Sequence, residues 1–205
     1  EWKFETILAS NDNGKVGTMW ECPDFFKLGD KRVLICSPQN MKATKYEFHN
    51  GNNSVYFIGD YDFKIHKFVK ENARTLDYGL DFYAPQTTTL TDGRQIMIGW
   101  MKSWDACVIP ESQEWQGMMT IPRELELKDG AIWQKPVREL EKYRRKECHH
   151  NNILIDAETS LSGVKGRTID MTVVLKGGDY TTFAVKLAAN DEYETCFTYS
   201  KADKI

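Results

Sequence analysis

The feature that most limits the fold is a recurring unit: a short run alternating apolar and polar residues, a Gly-containing dipeptide, and a second such run. Tyr83 to Thr91 and Gln95 to Trp100 flank Asp92-Gly93, Leu125-Glu126-Leu127 and Ala131-Ile132-Trp133 flank Asp129-Gly130, and Ile169 to Leu175 and Tyr180 to Leu187 flank Gly177-Gly178. Two strand-like runs joined by Asp-Gly are the strongest short-range hairpin signal, because the tight turn needs positive φ and Gly supplies it without steric cost. Arg32 to Ser37, Val55 to Gly59 and Lys64 to Val69 are further short runs rich in β-branched and aromatic residues, as half-buried or buried strands should be. The chain therefore reads as all-β, and hairpins at this spacing suggest a sandwich, a barrel or a propeller. No exact internal repeat selects among them. The exception is Pro136 to Lys146, where Pro at a helix-start position and the charges after it predict about two helical turns between two β units.

All six Trp residues lie at or before Trp133, so composition changes across that linker. The expected organisation is a first β domain over 1–135, the linker helix over 136–147 and a second β domain over 148–205. Two hundred and five residues, 41% hydrophobic and 28% charged, are enough to bury a core and match globular averages. With 27 basic and 30 acidic side chains, the net charge of −3 leaves no basic face for phosphate backbones, and nucleic acid is not an expected partner. No run approaches the ~18 apolar residues of a membrane span, and the start carries neither a charged n-region nor an apolar h-region. A cytoplasmic location with no membrane partner is expected. Cys22, Cys36, Cys107, Cys148 and Cys196 are odd in number and lack Cys-x-x-Cys or Cys/His ligand spacing, so reduced thiols are expected and a structural metal is not. His49, His66, His149 and His150 read as surface or structural. The absence of a Gly-rich phosphate loop, Gly-x-Ser-x-Gly or His-Glu-x-x-His points to chemistry without a cofactor.

The densest segment is Met19-Trp20-Glu21-Cys22-Pro23-Asp24-Phe25-Phe26. A carboxylate flanked by Trp, Cys and Pro is expected to be partly desolvated, which raises its pKa and suits a general acid. Pro23 biases Cys22 toward extended geometry and so holds Glu21 at a strand start. An ordinary Glu at a strand end is an equally good reading of the residues alone. Glycosidic chemistry needs a second carboxylate; Asp24, Asp77, Asp81 and Asp105 are available, but each sits in a turn-like context where Asp caps backbone amides. Two further dense segments, Asp77 to Thr87 leading to Gly99-Trp100-Met101, and Trp115 to Leu125, set indole and phenol rings beside carboxylates and amides, as sugar recognition requires. For any single Trp, Trp100 and Trp115 included, filling the core is the favoured reading.

Those three segments, in this order, resemble glycoside hydrolase family 32, the invertase and sucrose-6-phosphate hydrolase family. Trp20-Glu-Cys-Pro-Asp24 resembles its acid/base motif, and Asp77-Tyr-Gly-Leu-Asp-Phe-Tyr-Ala-Pro-Gln-Thr87, Ile98-Gly-Trp-Met101 and Met119-Thr-Ile-Pro-Arg-Glu-Leu125 resemble later blocks of the bacterial branch. The likeness is clear over residues 1 to 147. It implies part of a five-bladed β-propeller followed by part of a C-terminal β-sandwich, and retaining hydrolysis of terminal β-fructofuranosides such as sucrose, sucrose 6-phosphate or short fructans. Glu21 would be the acid/base; Cys22, Asp24, Tyr83 and Trp100 would line the substrate site, the Cys22 thiol tuning the carboxyl. The family's nucleophile block, Trp-x-Asn-Asp-Pro-Asn-Gly, and its Arg-Asp-Pro block are absent; Asn11-Asp12-Asn13-Gly14 reads as a turn. The expected partner is a small carbohydrate, with exposed blade edges open to self-association. The chain, beginning without Met, is expected to be an inactive internal or C-terminal portion of a longer enzyme. A propeller that binds fructosides without cleaving them, or a propeller glycosidase acting on arabinosides, is the alternative.

Overall fold

The computed structural model describes residues 1–11, 14–105, 112 and 114–204. They fall into two compact units, Glu1–Leu140 and Glu141–Ile205. The first unit holds two antiparallel sheets. β1 (Trp20–Leu28), β2 (Lys31–Pro38), β3 (Val55–Asp62) and β4 (Lys67–Lys70) follow one another across the first sheet, with β5 (Arg74–Thr75) pairing to the start of β3. β6 (Tyr83–Thr89), β7 (Gln95–Trp100), β8 (Arg123–Lys128) and β9 (Ala131–Pro136) follow one another across the second. Each contains a four-stranded up-and-down meander, the form of a propeller blade. The all-β expectation holds.

Turn chemistry sets these meanders. Asp129 and Gly130 both take positive φ, 53° and 69°, and pair Lys128 with Ala131 across the tightest kind of hairpin. Asp92-Gly93 closes a longer loop, in which the Leu90 N–H donates to Arg94 O and the Gly93 N–H to Leu90 O. The run Lys64 to Val69 is only partly strand. The Asp62 carboxylate accepts the Lys64 N–H at 2.7 Å and closes a turn, so that β4 begins at Lys67.

β2 is a continuous apolar run because both of its faces are covered. Val33 and Ile35 point into a cluster with Phe26, Tyr56, Ile58, Leu76, Phe82, Met97 and Leu125, which joins the two sheets. Leu34 and Cys36 point the other way, into a cluster with Val55, Phe57 and Phe68, against which Leu8, Val16 and Trp20 pack. Period-two alternation thus feeds two cores at once. Phe and Tyr fill them, and no Trp is fully buried: Trp100 is half-buried while Trp104 and Trp115 are 67% and 63% exposed. Core filling is therefore the wrong reading for these indoles.

One further expectation is corrected. Ile169 to Leu175 forms no strand; β10 (Thr182–Leu187) pairs instead with β11 (Thr195–Ser200) over six registered positions. Gly177 and Gly178 do take positive φ, but Asn190 closes the winning hairpin, its side-chain oxygen accepting the N–H groups of Glu192 and Tyr193. The linker segment forms the expected two helical turns, as a 3-10 helix, Arg138–Tyr143. Its first residues are held from outside: Glu124 accepts from both the backbone and the guanidinium of Arg138, and Arg94 clasps Glu139. Those anchors favour a short, tight turn over a longer helix. Cys22, Cys36, Cys148 and Cys196 are free thiols, whereas Cys107 lies outside the described residues, as do Asp12 and Asn13. Among the described residues no helix is long and apolar enough to cross a membrane.

Candidate functional site

Glu21 is the second residue of β1, where the strand carries a bulge. Glu21 pairs with Ser37 and Asp24 with Ile35, so Cys22 and Pro23 together oppose the single residue Cys36. Cys22 adopts φ 47°, not the extended geometry that a following Pro favours. Pro23 fits this place because it has no N–H to leave unpaired. β6 repeats the device: Tyr83 pairs with Trp100 and Gln86 with Ile98, Ala84 and Pro85 oppose Gly99, and Ala84 has φ 49°. The two first strands therefore carry the same residue-Pro bulge, and bulges re-aim the side chains beside them.

The residues just before the two bulges meet. The Tyr83 hydroxyl lies 2.7 Å from Glu21 Oε2, and Gln39 Nε2 donates to the same oxygen at 2.9 Å. Trp104 is near enough to add a smaller lowering influence on the carboxyl. These donors outweigh partial burial and hold the Glu21 carboxyl below its usual pKa, Tyr83 contributing most. Desolvation does not win here, and the expected upward shift is reversed in sign. Tyr83 is 1% exposed; burial first, and then Glu21, push its phenol well above the ordinary range. It is a neutral donor with two acceptors in reach, Glu21 Oε2 and the Ser37 carbonyl at 3.0 Å. One proton serves one acceptor at a time, so Tyr83 can donate to Glu21 when that is ionised, and turn to Ser37 when Glu21 carries its own proton.

The other candidates are placed unequally. Cys22 is exposed, and partial burial together with the Glu21 charge raises its thiol pKa, so it stays protonated. Its carbonyl accepts from Gln86 Nε2 at 3.2 Å. Asp24 is committed to the frame, its Oδ2 accepting the Thr87 N–H at 2.7 Å and tying the two bulges together. The ring of Trp100 meets that of Trp104 edge-on, with centroids 5.3 Å apart, which extends an aromatic surface outward from Glu21. Asp105 accepts the Asn52 N–H at 2.7 Å. Asp77 pairs with Arg123 at 2.6 Å and accepts the Gly79 N–H; it lines a cavity of about 670 Å³ beside β5, β8 and β9 that includes none of Glu21, Tyr83, Trp100 or Trp104. Gln39 and Trp104 were not singled out by sequence reasoning. Gln39 follows Pro38 at the end of β2, a position with no motif to mark it; Trp104 stands four residues after Trp100, and that spacing was the available signal.

A family model described as the glycosyl hydrolases family 32 N-terminal domain matches residues 1–136. The chain belongs to family 32. Its relatives in that family include a raffinose invertase of Escherichia coli, 42% identical over 146 residues that make up 71% of this chain and 30% of the relative. A sucrose-6-phosphate hydrolase of Escherichia coli is 37% identical over 92% of this chain and 40% of its own length. Among solved family 32 structures, a Bombyx mori beta-fructofuranosidase superposes with TM-score 0.67 at 36% identity, covering 72% of this chain and 32% of that one. A Lactobacillus gasseri sucrose-6-phosphate hydrolase gives 0.58 at 33% identity, covering 65% and 28%. The chain thus spans between about a quarter and two fifths of the length of these proteins. A variant of the Bombyx mori enzyme has been solved in complex with sucrose.

Proposed function

We propose that this chain supplies the acid/base side of a retaining β-fructofuranosidase site, with Glu21 as the proton carrier. The observation that carries this reading is the clamp on Glu21 Oε2 by Tyr83 and Gln39, beside an indole pair, Trp100 half-buried and Trp104 exposed, suited to a sugar face. In the first half-reaction Glu21 protonates the departing glycosidic oxygen while a second carboxylate attacks the fructosyl carbon. In the second, ionised Glu21 takes a proton from the water that opens the fructosyl ester. Cys22 and Trp100 border the same site. The proposed organisation is a propeller portion over 1–135, a linker over 136–147 and a partial β-sandwich over 148–205, in a cytoplasmic enzyme acting on sucrose, sucrose 6-phosphate or short fructans.

A lowered pKa suits the basic half of this cycle better than the acidic half. The missing carboxylate supplies the balance: retaining pairs stand ~5–5.5 Å apart, and a like charge at that distance pushes its neighbour's pKa up. The sequence contains neither the Asn-Asp-Pro nor the Arg-Asp-Pro block, so this chain holds the lowering donors without the raising anion. It is therefore expected to be inactive by itself. Turnover of sucrose or sucrose 6-phosphate by the purified chain, persisting in Glu21→Gln, would sink the assignment. No turnover by the chain, together with a severe loss of kcat on the same substitution in an enzyme carrying both carboxylates, would support it.

A further inference from the structure

We propose that Asp77 and Arg123 are positioning residues for Tyr83, acting through the Phe82 ring to set the phenol against Glu21. The inference rests on the reading of Glu21 as proton carrier and names two further residues that serve the same site. Arg123 opens β8 and reaches the segment that follows β5. Its Nη1 donates to Asp77 Oδ2 at 2.6 Å and to Gln134 Oε1 at 2.8 Å, and Gln134 Nε2 donates in turn to the Leu76 carbonyl at 2.6 Å. The guanidinium carbon stands 5.0 Å from the centroid of the Phe82 ring, within the range of a cation–π contact. The same ring abuts Gly99 of β7, where an added Cβ would stand 2.4 Å from Phe82 Cε2. Phe82 is therefore gripped between a guanidinium and a backbone, one residue before Tyr83.

The phenol needs such support. Tyr83 precedes a bulge in which Ala84 holds φ 49°, so a regular ladder does not fix its direction on that side. A tilt of about 10° at its Cα carries the hydroxyl about 1 Å, enough to spoil a hydrogen bond of 2.7 Å. The main chain is tied at both neighbours: the Ser54 hydroxyl donates to the Phe82 carbonyl at 3.4 Å, and the Ala84 N–H donates to Ser37 Oγ at 3.1 Å. The Phe82 side chain is left to Arg123 and Gly99. The segment that bears Arg123 also binds Gly99, whose N–H donates to Thr120 Oγ1 at 3.1 Å while the Thr120 N–H donates back to Gly99 O at 2.9 Å. Both members of the ion pair are mostly withdrawn from solvent, with side chains 25% and 19% exposed, which makes the pair firmer than one at the open surface. The cavity of about 670 Å³ opens beside them, so the guanidinium owes its place to these polar contacts and the ring more than to close packing.

The test is carboxyl carbon NMR titration of Glu21 in the chain, with melting temperatures alongside, in wild type, Tyr83→Phe, Arg123→Met, Asp77→Asn, Phe68→Leu and the double variant Arg123→Met/Tyr83→Phe. Arg123→Met and Asp77→Asn should each raise the Glu21 pKa by half or more of the rise in Tyr83→Phe. Asn at 77 can still accept the Gly79 N–H that Asp77 now accepts, so that turn is kept. Sign separates positioning from a simple field: removing the Asp77 charge acts through space to lower the pKa of another carboxyl, and a fall in Asp77→Asn overturns the proposal. In the Tyr83→Phe background Arg123→Met should add nothing, because the route runs through the phenol. An undiminished increment there overturns the proposal as well. Phe68→Leu alters the core beneath β4 and should lower the melting temperature with Glu21 unmoved; a rise equal to that of Arg123→Met would reduce the effect to lost stability and overturn the proposal. If Tyr83→Phe moves Glu21 while Arg123→Met and Asp77→Asn leave it unmoved, the positioning role falls and the clamp on the proton carrier stands. If Tyr83→Phe moves nothing, both fall.

Discussion

Glu21 is surrounded by donors more than by hydrocarbon, and that sets the sign of its response to pH. Tyr83→Phe removes the largest lowering contribution, so the Glu21 pKa should rise, with Gln39→Leu giving a smaller rise in the same direction. Carboxyl carbon NMR titration of the chain checks this; an unmoved or lowered titration in Tyr83→Phe would show that the phenol does not hold the carboxylate. The linkage follows the same sign. A carboxyl whose folded pKa lies below its ordinary value of 4.5 stabilises the fold above that pH and loses the contribution as pH falls through the folded value. The stability cost of Tyr83→Phe should accordingly be larger at pH 7 than at pH 3. Glu21 was legible because its neighbours in sequence form a motif. Gln39 and Trp104 were not, because they reach it from β2 and from the loop after β7, and no local pattern encodes a contact between strands. The sign of the pKa was misread for the same reason: Trp20, Cys22 and Pro23 suggest desolvation, while the deciding donors are remote in sequence.

Bulges and anchored turns decide the behaviour of the elements. Cys22 and Ala84 hold a left-handed backbone ahead of a Pro, a combination that costs of order 1–2 kcal/mol for a residue with a side chain. Cys22→Gly should be neutral or stabilising by up to about 1 kcal/mol, whereas Cys22→Val, β-branched at positive φ, should cost about 1–2 kcal/mol more than the Gly variant. Thermal melts of the pair test it, and equal stability would mean that the bulge relaxes. At the far end of the second sheet, Arg138 and then Arg94 hold the Glu124 carboxyl down at about 2, against an ordinary value of 4.5. Because that pKa is depressed, the stabilisation is complete above 4.5 and disappears as pH falls toward 2. Glu124→Gln should cost on the order of 1–2 kcal/mol at neutral pH and should flatten the acid limb of a pH-melting curve; an acid limb identical to wild type would assign the lability elsewhere. Hairpins with a two-residue Asp-Gly turn were readable because the whole instruction is local. The pairing of β10 was not, since Gly177-Gly178 and the Asn190 turn compete for the same strand and only the pairing energy chooses between them.

Across the whole molecule the described residues differ sharply in how well they are buried. β2 and β3 contribute side chains to clusters on both faces of the first sheet, whereas β10 and β11 form a two-stranded sheet whose Phe197 and Tyr199 remain exposed. An isolated hairpin of this kind is marginal in water. Hydrogen exchange should therefore find the slowest amides in β2 and β3 and fast exchange throughout β10 and β11; comparable protection in the two would show that the second unit has a core of its own. Fold class was legible at this scale because alternation and turn residues recur along the chain. The likeness of the two blades was hidden, since Trp20-Glu21-Cys22-Pro23-Asp24 and Phe82-Tyr83-Ala84-Pro85-Gln86 share only the proline, and the match lies in the backbone. This twin construction makes the frame indifferent to its cargo. Each inner strand offers the same socket, and whichever side chain precedes the bulge is delivered to the common centre, a carboxylate from one blade and a phenol from the next. The character of the centre is thus set by the one residue that precedes each bulge, with the strands themselves supplying only its aim.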